Sequence, residues 1–247
     1  MTSELKYCRN CGITVSNKYC ENCGQRTSVY KVSFKETIHD FIDAALSLNA
    51  PFFITLKQLI VNPGIVLREY LEGKRKKYYK PVAFFLLTTV AYLVIRSAIG
   101  FDPFNDNVVE VESTKDGQLL IKARDFMLFN INKLLFIFVI TLALFSKLFF
   151  YKRYSLAEYF AISFYLTGIN TLFITLNLFL VVGVGKEMKL LEILLMLVYF
   201  IYAMCSVIST NKSVIIIKSF IVFILSYIAY VNLSFGLSYL IVLFQNS

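Results

Sequence analysis

Four of the five cysteines lie in two Cys-x-x-Cys pairs near the start of the chain: Cys8 with Cys11, and Cys20 with Cys23. Each pair is followed by glycine, Gly12 or Gly24, and eight residues separate the pairs. This is how a zinc knuckle is written. A two-residue spacer lets both thiolates reach one ion about 2.3 Å away. The glycine tolerates the positive φ of the tight turn, which leaves backbone N–H groups free to meet the sulfurs. Four soft thiolates favour tetrahedral Zn2+. A closed four-thiolate site leaves no position for a substrate, so the expected role is structural: the ion folds a zinc ribbon over residues 1–30 that has little core of its own. An iron–sulfur centre is the competing metal site. Two disulfides need an oxidising compartment. A thioredoxin-like redox pair needs a βαβ context, which is missing.

Two further clusters have chemistry. Lys74, Arg75, Lys76, Lys77 and Lys80 form a basic run with Tyr78 and Tyr79 inside it. Beside a membrane such a run orients the chain and holds anionic headgroups, at about 1 kcal/mol per basic residue, and the tyrosines suit an interfacial belt. Further on, Thr167, Asn170, Thr171 and Asn177 recur at roughly helical spacing within an apolar stretch. They act either as glue between helices, at about 0.6–2 kcal/mol each, or as the lining of an intramembrane polar site. Cys205 lies among apolar residues and reads as a small hydrophobe. His39 is the only histidine and reads as a surface residue. No Gly-rich phosphate loop or nucleophile elbow occurs in a suitable context, and no acid, base and nucleophile set stands out. An enzyme is therefore not expected. Nucleic acid is disfavoured too, because Lys6, Arg9, Lys18 and Arg26 face Glu4 and Glu21 in only a modest excess.

The elements that must position these residues follow from the apolar pattern. The 247 residues are 57% hydrophobic and 17% charged, with mean hydropathy +0.66. Soluble domains run nearer 45–50% apolar and about 25% charged. Such a composition excludes disorder. A bilayer core about 30 Å thick needs about 20 apolar residues per crossing helix. Stretches at about 82–99, 131–150, 159–182, 190–208 and 214–244 qualify, the last as one long tilted helix or as a span plus an interfacial segment. The expected architecture is an all-α transmembrane bundle of about five spans over residues 81–247, with juxtamembrane helices over 31–80.

Those juxtamembrane helices read as amphipathic. Phe34, Ile38, Phe41, Ile42, Ala45 and Leu46 recur at helical spacing over 33–49, behind a Ser33–Glu36 capping box. Shorter helices follow Pro51 and the Asn62-Pro63-Gly64 break. They either lie on the inner leaflet, pack under the bundle, or form a cytoplasmic subdomain.

Formal net charge is +9, and its distribution sets orientation. The basic run precedes the first span, whereas the loop at 100–125 sets Asp102, Asp106, Glu110, Glu112, Asp116 and Asp125 against Lys115, Lys122 and Arg124. The alternation predicts a cytoplasmic N-terminus and an extracytoplasmic C-terminus. In that outer loop Val109, Val111, Leu119 and Ile121 flank Asp116-Gly117, which predicts a short β-hairpin.

The order CRNCG, YCENCGQR, an amphipathic helix and then VNPGIVLREYLEGKRKKYYKPVAFFLL resembles a bacterial domain-of-unknown-function family over roughly residues 6–95. The resemblance implies an N-terminal zinc ribbon on a polytopic inner-membrane protein, and it implies no activity. The expectation is a non-enzymatic adaptor, assembly factor or regulator that uses its ribbon to bind a cytosolic or membrane protein partner. The alternative is a small-molecule or lipid transporter or channel.

Overall fold

Proline and glycine set the first helix boundaries. Pro63 and Pro81 each sit in the first turn of a helix, where a missing N–H costs little. Gly73 and Gly100 close those helices in the left-handed conformation, at φ 112° and 67°. The computed structural model describes residues 6–27, 50–100, 115–184, 189–208 and 211–245. Among them, β1 (Lys6–Tyr7) pairs antiparallel with β2 (Thr14–Val15). Eight helices follow: α1 (Ala50–Val61), α2 (Pro63–Glu72), α3 (Pro81–Ile99), α4 (Lys115–Phe129), α5 (Ile131–Phe149), α6 (Leu156–Val184), α7 (Lys189–Val207) and α8 (Lys212–Gln245). The amphipathic segment expected over 33–49, with Ser33, Glu36 and His39, lies outside the described residues.

α3 packs along α6, α5 contacts both α6 and α8, and α7 contacts α6 and α8. Gly168 makes the first contact possible, since a Cβ there would come within 2.7 Å of the Phe84 ring. The rings of Phe84 and Tyr165 then lie 5.9 Å apart. Between α5 and α8, Phe138 meets Phe223 and Tyr230 edge-on. There Thr141 donates to the Ser226 carbonyl at 3.1 Å and Ser226 donates back to the Thr141 carbonyl at 3.5 Å. α6 opens on a reciprocal capping box: the Ser155 N–H donates to Glu158 at 2.7 Å, and the Glu158 N–H to Ser155 Oγ at 3.3 Å.

The helix ends sort into two groups. Lys218, early in α8, donates to the Phe149 carbonyl at the end of α5. Tyr159, early in α6, donates to the Phe150 carbonyl, and Tyr165 donates to the Tyr79 carbonyl just before α3. The starts of α3, α6 and α8 therefore share one end of the bundle with the end of α5. The end of α7 joins them through Ser206, as described below.

Three helices are long and apolar enough to cross a membrane among the described residues: α3, α6 as far as Leu180, and α8. α4 and α5 are bent by 84° at their junction, and counting them as one broken span makes four. α7 is apolar over Leu191–Val207 but shorter. The sequence expectation of about five exceeds this number.

The outer-loop hairpin is not formed where the chain is described. Residues 115–129 are helical, with Asp116 and Gly117 in the first turn of α4. The helix wins because Leu119, Ala123 and Phe126 recur at helical spacing, and because α4 packs along α8 with Ala123 fully buried. The residues of 101–114 lie outside the described ones.

Candidate metal centre and the junction it grips

The two cysteine pairs fold into the same turn. Gly12 and Gly24 have φ 76° and 67°, and their N–H groups donate to the carbonyls of Cys8 and Cys20, both at 2.8 Å. The Cys8 N–H donates to Ile13 and the Cys20 N–H to Gln25, again at 2.8 Å. This repeat brings all four sulfurs within 4.8 Å of one another. Cys8 Sγ lies 3.5 Å from Cys23 Sγ, and Cys11 Sγ 3.5 Å from Cys20 Sγ. A tetrahedron of thiolates at the usual Zn–S length has edges of about 3.8 Å. The donor set thus fits one tetrahedral metal ion, and its distances are far too long for disulfides. The Ile13 N–H holds the Cys11 thiol down to about 6, while burial pushes Cys23 up to about 11. A bound cation deprotonates such thiols outright.

The knuckles also hold the chain that leads into α3. Gln25, buried and two residues after Cys23, donates through Nε2 to the Gly73 carbonyl at 2.7 Å. Its Oε1 accepts the Lys76 N–H at 3.2 Å. From the first knuckle, Arg9 donates to the Glu72 carbonyl at 3.4 Å.

The basic run has a centre of its own in Glu69. Lys74 and Lys77 each pair with a Glu69 oxygen at 2.8 Å. Tyr78 donates to Glu69 Oε2 at 2.5 Å and lies 2.8 Å from Gln58 Oε1. Burial alone pushes the Glu69 carboxyl up, but Lys74, Lys77 and Tyr78 outweigh it and hold it at about 2. The Arg75 guanidinium lies 6.0 Å from the Tyr70 ring, and the Lys80 carbonyl accepts the Phe84 N–H at the start of α3. The next turn is pinned from both sides. Thr55 in α1 accepts the Tyr79 N–H at 2.8 Å, and Tyr165 in α6 donates to the Tyr79 carbonyl.

The corner between α1 and α2 is built on Ser206. Ser206 Oγ donates to Asn62 Oδ1 at 3.0 Å and accepts the Gly64 N–H at 3.1 Å. Arg68 donates to the Ser206 carbonyl. In return, Tyr199 and Tyr202 of α7 donate to the carbonyls of Leu59 and Val61, at 3.0 and 2.7 Å. Helix ends leave carbonyls without intrahelical partners: α7 supplies the tyrosines that cap the end of α1, and Arg68 of α2 caps the Ser206 carbonyl at the end of α7. Gly64 is required here, because a Cβ would lie 2.3 Å from the Ser206 backbone oxygen.

Residues 50–93 match the model of a family described as a protein of unknown function (DUF3667). No curated protein matches the chain, and no solved structure does. The matched segment runs from α1 into α3. It contains the Asn62-Pro63-Gly64 corner, Glu69 and the whole basic run. It excludes the four cysteines, and also Tyr165, Tyr199, Tyr202 and Ser206, which hold it from outside.

The polar residues of α6 lie away from this junction and do not form one cluster. Thr167, Asn170 and Thr171 share a buried face. Thr171 donates to the Thr167 carbonyl at 3.0 Å, and Thr175 to the Thr171 carbonyl at 2.8 Å. Thr167 Oγ1 and both amide atoms of Asn170 have no partner. Asn177 instead donates to Glu192 of α7 at 3.2 Å. Gln25, Glu69 and Ser206 were not singled out in the sequence. Only Gln25 carried a signal, since it occupies the place in the second knuckle that Ile13 holds in the first.

Proposed function

We propose that this chain is a multi-pass membrane protein without enzymatic activity, an adaptor, assembly factor or regulator whose zinc-loaded ribbon presents a surface to a protein partner. The observation that carries this reading is the division of the ribbon's side chains. Arg9 and Gln25 are committed to residues 72–76, whereas Tyr7, Ile13 and Tyr19 stand 61%, 46% and 61% exposed. A groove of about 330 Å³ runs past Ile13, Val15, Tyr19, Glu21 and Asn22. Exposed aromatic and aliphatic side chains beside a groove suit a protein interface. Zinc is preferred over iron because four thiolates at these spacings form a closed tetrahedral site with no redox demand.

We read α3, α5, α6, α7 and α8 as five crossings of a bacterial inner membrane, with the ribbon in the cytoplasm and the C-terminus outside. Arg68, Lys74, Lys76, Lys147 and Lys218 belong to the end that carries the ribbon, which supports this orientation. The test is photo-crosslinking in cells from a reactive residue placed at Tyr19. A discrete protein adduct, lost in Cys20→Ser, supports the reading, whereas an adduct indifferent to Cys20→Ser refutes it. The transporter reading draws on one observation, the unpartnered amide of Asn170. It requires solute flux into liposomes that Asn170→Leu abolishes.

A further inference from the structure

The two helices before the bundle present opposite kinds of outer face. α2 buries Val66, Leu67, Tyr70 and Leu71 and leaves Glu69 and Glu72 on its other side, where the lysines and the ribbon meet it. α1 buries Phe52, Thr55 and Leu59 against the bundle. Its other side carries Phe53, Ile54, Lys57, Ile60 and Val61. Phe53, Ile60 and Val61 are 62%, 55% and 67% exposed. The spacing i, i+1, i+4, i+7, i+8 places all five on one face. Four large apolar side chains around one lysine make a face that water solvates poorly, at roughly 25 cal/mol per Å².

This face continues the outer surface of the bundle. The Val61 carbonyl accepts from Tyr202, itself exposed on α7 in line with Leu194, Leu195 and Val198. At the other end of α1, Phe52 packs 5.7 Å from Phe84 at the start of α3. Its 12 residues make a helix of about 18 Å, too short to cross a core of about 30 Å. We propose that α1 lies in the plane of the membrane on the ribbon side, with its outer face in the acyl-chain boundary and Lys57 reaching to lipid phosphate. Such helices sink about 5–10 Å into the leaflet, and lysine stems lie along apolar surface with the ammonium in the headgroups. The Asn62-Pro63-Gly64 corner then turns the chain out of the lipid, so that α2 meets water and the ribbon. The proposal rests on the membrane reading of the bundle.

The chain contains no tryptophan, so one introduced indole reports alone. Full-length Phe53→Trp and Val61→Trp go into phosphatidylcholine vesicles with and without brominated acyl chains, and iodide is the aqueous quencher. Brominated lipid is expected to lower both emissions about twofold with iodide without effect, as for a residue below the headgroups. Quenching by iodide overturns the proposal. Quenching by neither overturns it as well, because protein then covers the face, from elsewhere in this chain or from a second copy. Ile228→Trp, on the exposed side of α8, separates the two readings. If it too answers to iodide and not to brominated lipid, the membrane reading itself has failed.

Discussion

The junction over residues 55–80 and the interior of α6 and α8 handle most of their polar groups differently. In the junction, Gln25, Thr55, Glu69 and Tyr78 meet partners on other elements. In the interior, Ser226 pairs with Thr141 of α5 and Asn177 with Glu192 of α7, but Thr171, Thr175 and Ser238 turn back on their own helix, and Thr167, Asn170, Ser219 and Ser234 leave side-chain atoms without any partner. A paired polar group ties two particular elements together, whereas an unpaired buried one only costs desolvation. The contrast assigns geometry to the junction and adhesion to apolar packing in the bundle.

Removing the metal is the strongest challenge to that division. Cys20→Ser, or chelation, is expected to unfold the ribbon, since metal binding on the scale of about 10 kcal/mol is its folding energy. Metal content should drop to none while far-UV circular dichroism of the bundle persists. Loss of bundle helicity would show that the junction cannot stand without its ribbon. Gly64→Ala comes next. Its Cβ meets backbone, so the corner must open, at about 3 kcal/mol by thermal unfolding in detergent. Gly168→Ala should cost less, because its closest contact is the Phe84 side-chain ring and the Phe85 Cα lies farther off at 3.3 Å.

Gln25→Ala is expected to cost about 1–2 kcal/mol in ribbon docking, read as faster amide exchange at Lys76. If exchange is unchanged, Gln25 does not hold the junction. Glu69→Gln tests the ion pairs through pH. The folded-state pKa lies below the ordinary value of 4.5, at about 2, so the contribution is complete above about pH 4.5 and is lost as pH falls toward 2. The wild type should exceed the variant by a constant margin of about 1 kcal/mol from pH 6 to 8, reduced by salt because both lysines are partly exposed. The smallest effect belongs to Asn170→Leu, expected within about 1 kcal/mol of zero or stabilising. A loss above about 2 kcal/mol would reveal a bound partner and erase the contrast.

What could be read in advance followed the range of the interactions. The cysteine turns were legible because ligand spacing and glycine are local chemistry, complete within five residues of CRNCG and of CENCG. The helical class was legible because the apolar stretches dominate the chain. Asp116-Gly117 misled because it is a turn signal only in isolation, and α8 offered α4 a surface to pack on. The capping box at Ser155 and Glu158 has the same pattern as Ser33 and Glu36, and it marks the start of α6 in the short polar link between two apolar stretches. Ser206 was invisible in principle. Nothing in YAMCSVIS marks a serine that donates to Asn62 and accepts from Gly64 and Arg68, because its partners lie in a different part of the chain. Glycine at 64 read as a helix stop, and the contact it permits could be known only once α7 was in place.

That capping between α7 and the corner of α1 and α2 has a consequence for the order in which the protein can be made. Asn62, Gly64 and Arg68 are separated from Ser206 by 138 to 144 positions. At ribosomal rates of about 5–20 residues per second, α1 and α2 exist for on the order of 10 s before α7 has been synthesised. During that interval the carbonyls of Leu59 and Val61 have no tyrosines to receive. The corner between α1 and α2 therefore closes only after α7 has emerged, and a nascent chain stalled before Tyr199 should expose a corner that the completed protein keeps closed to proteases.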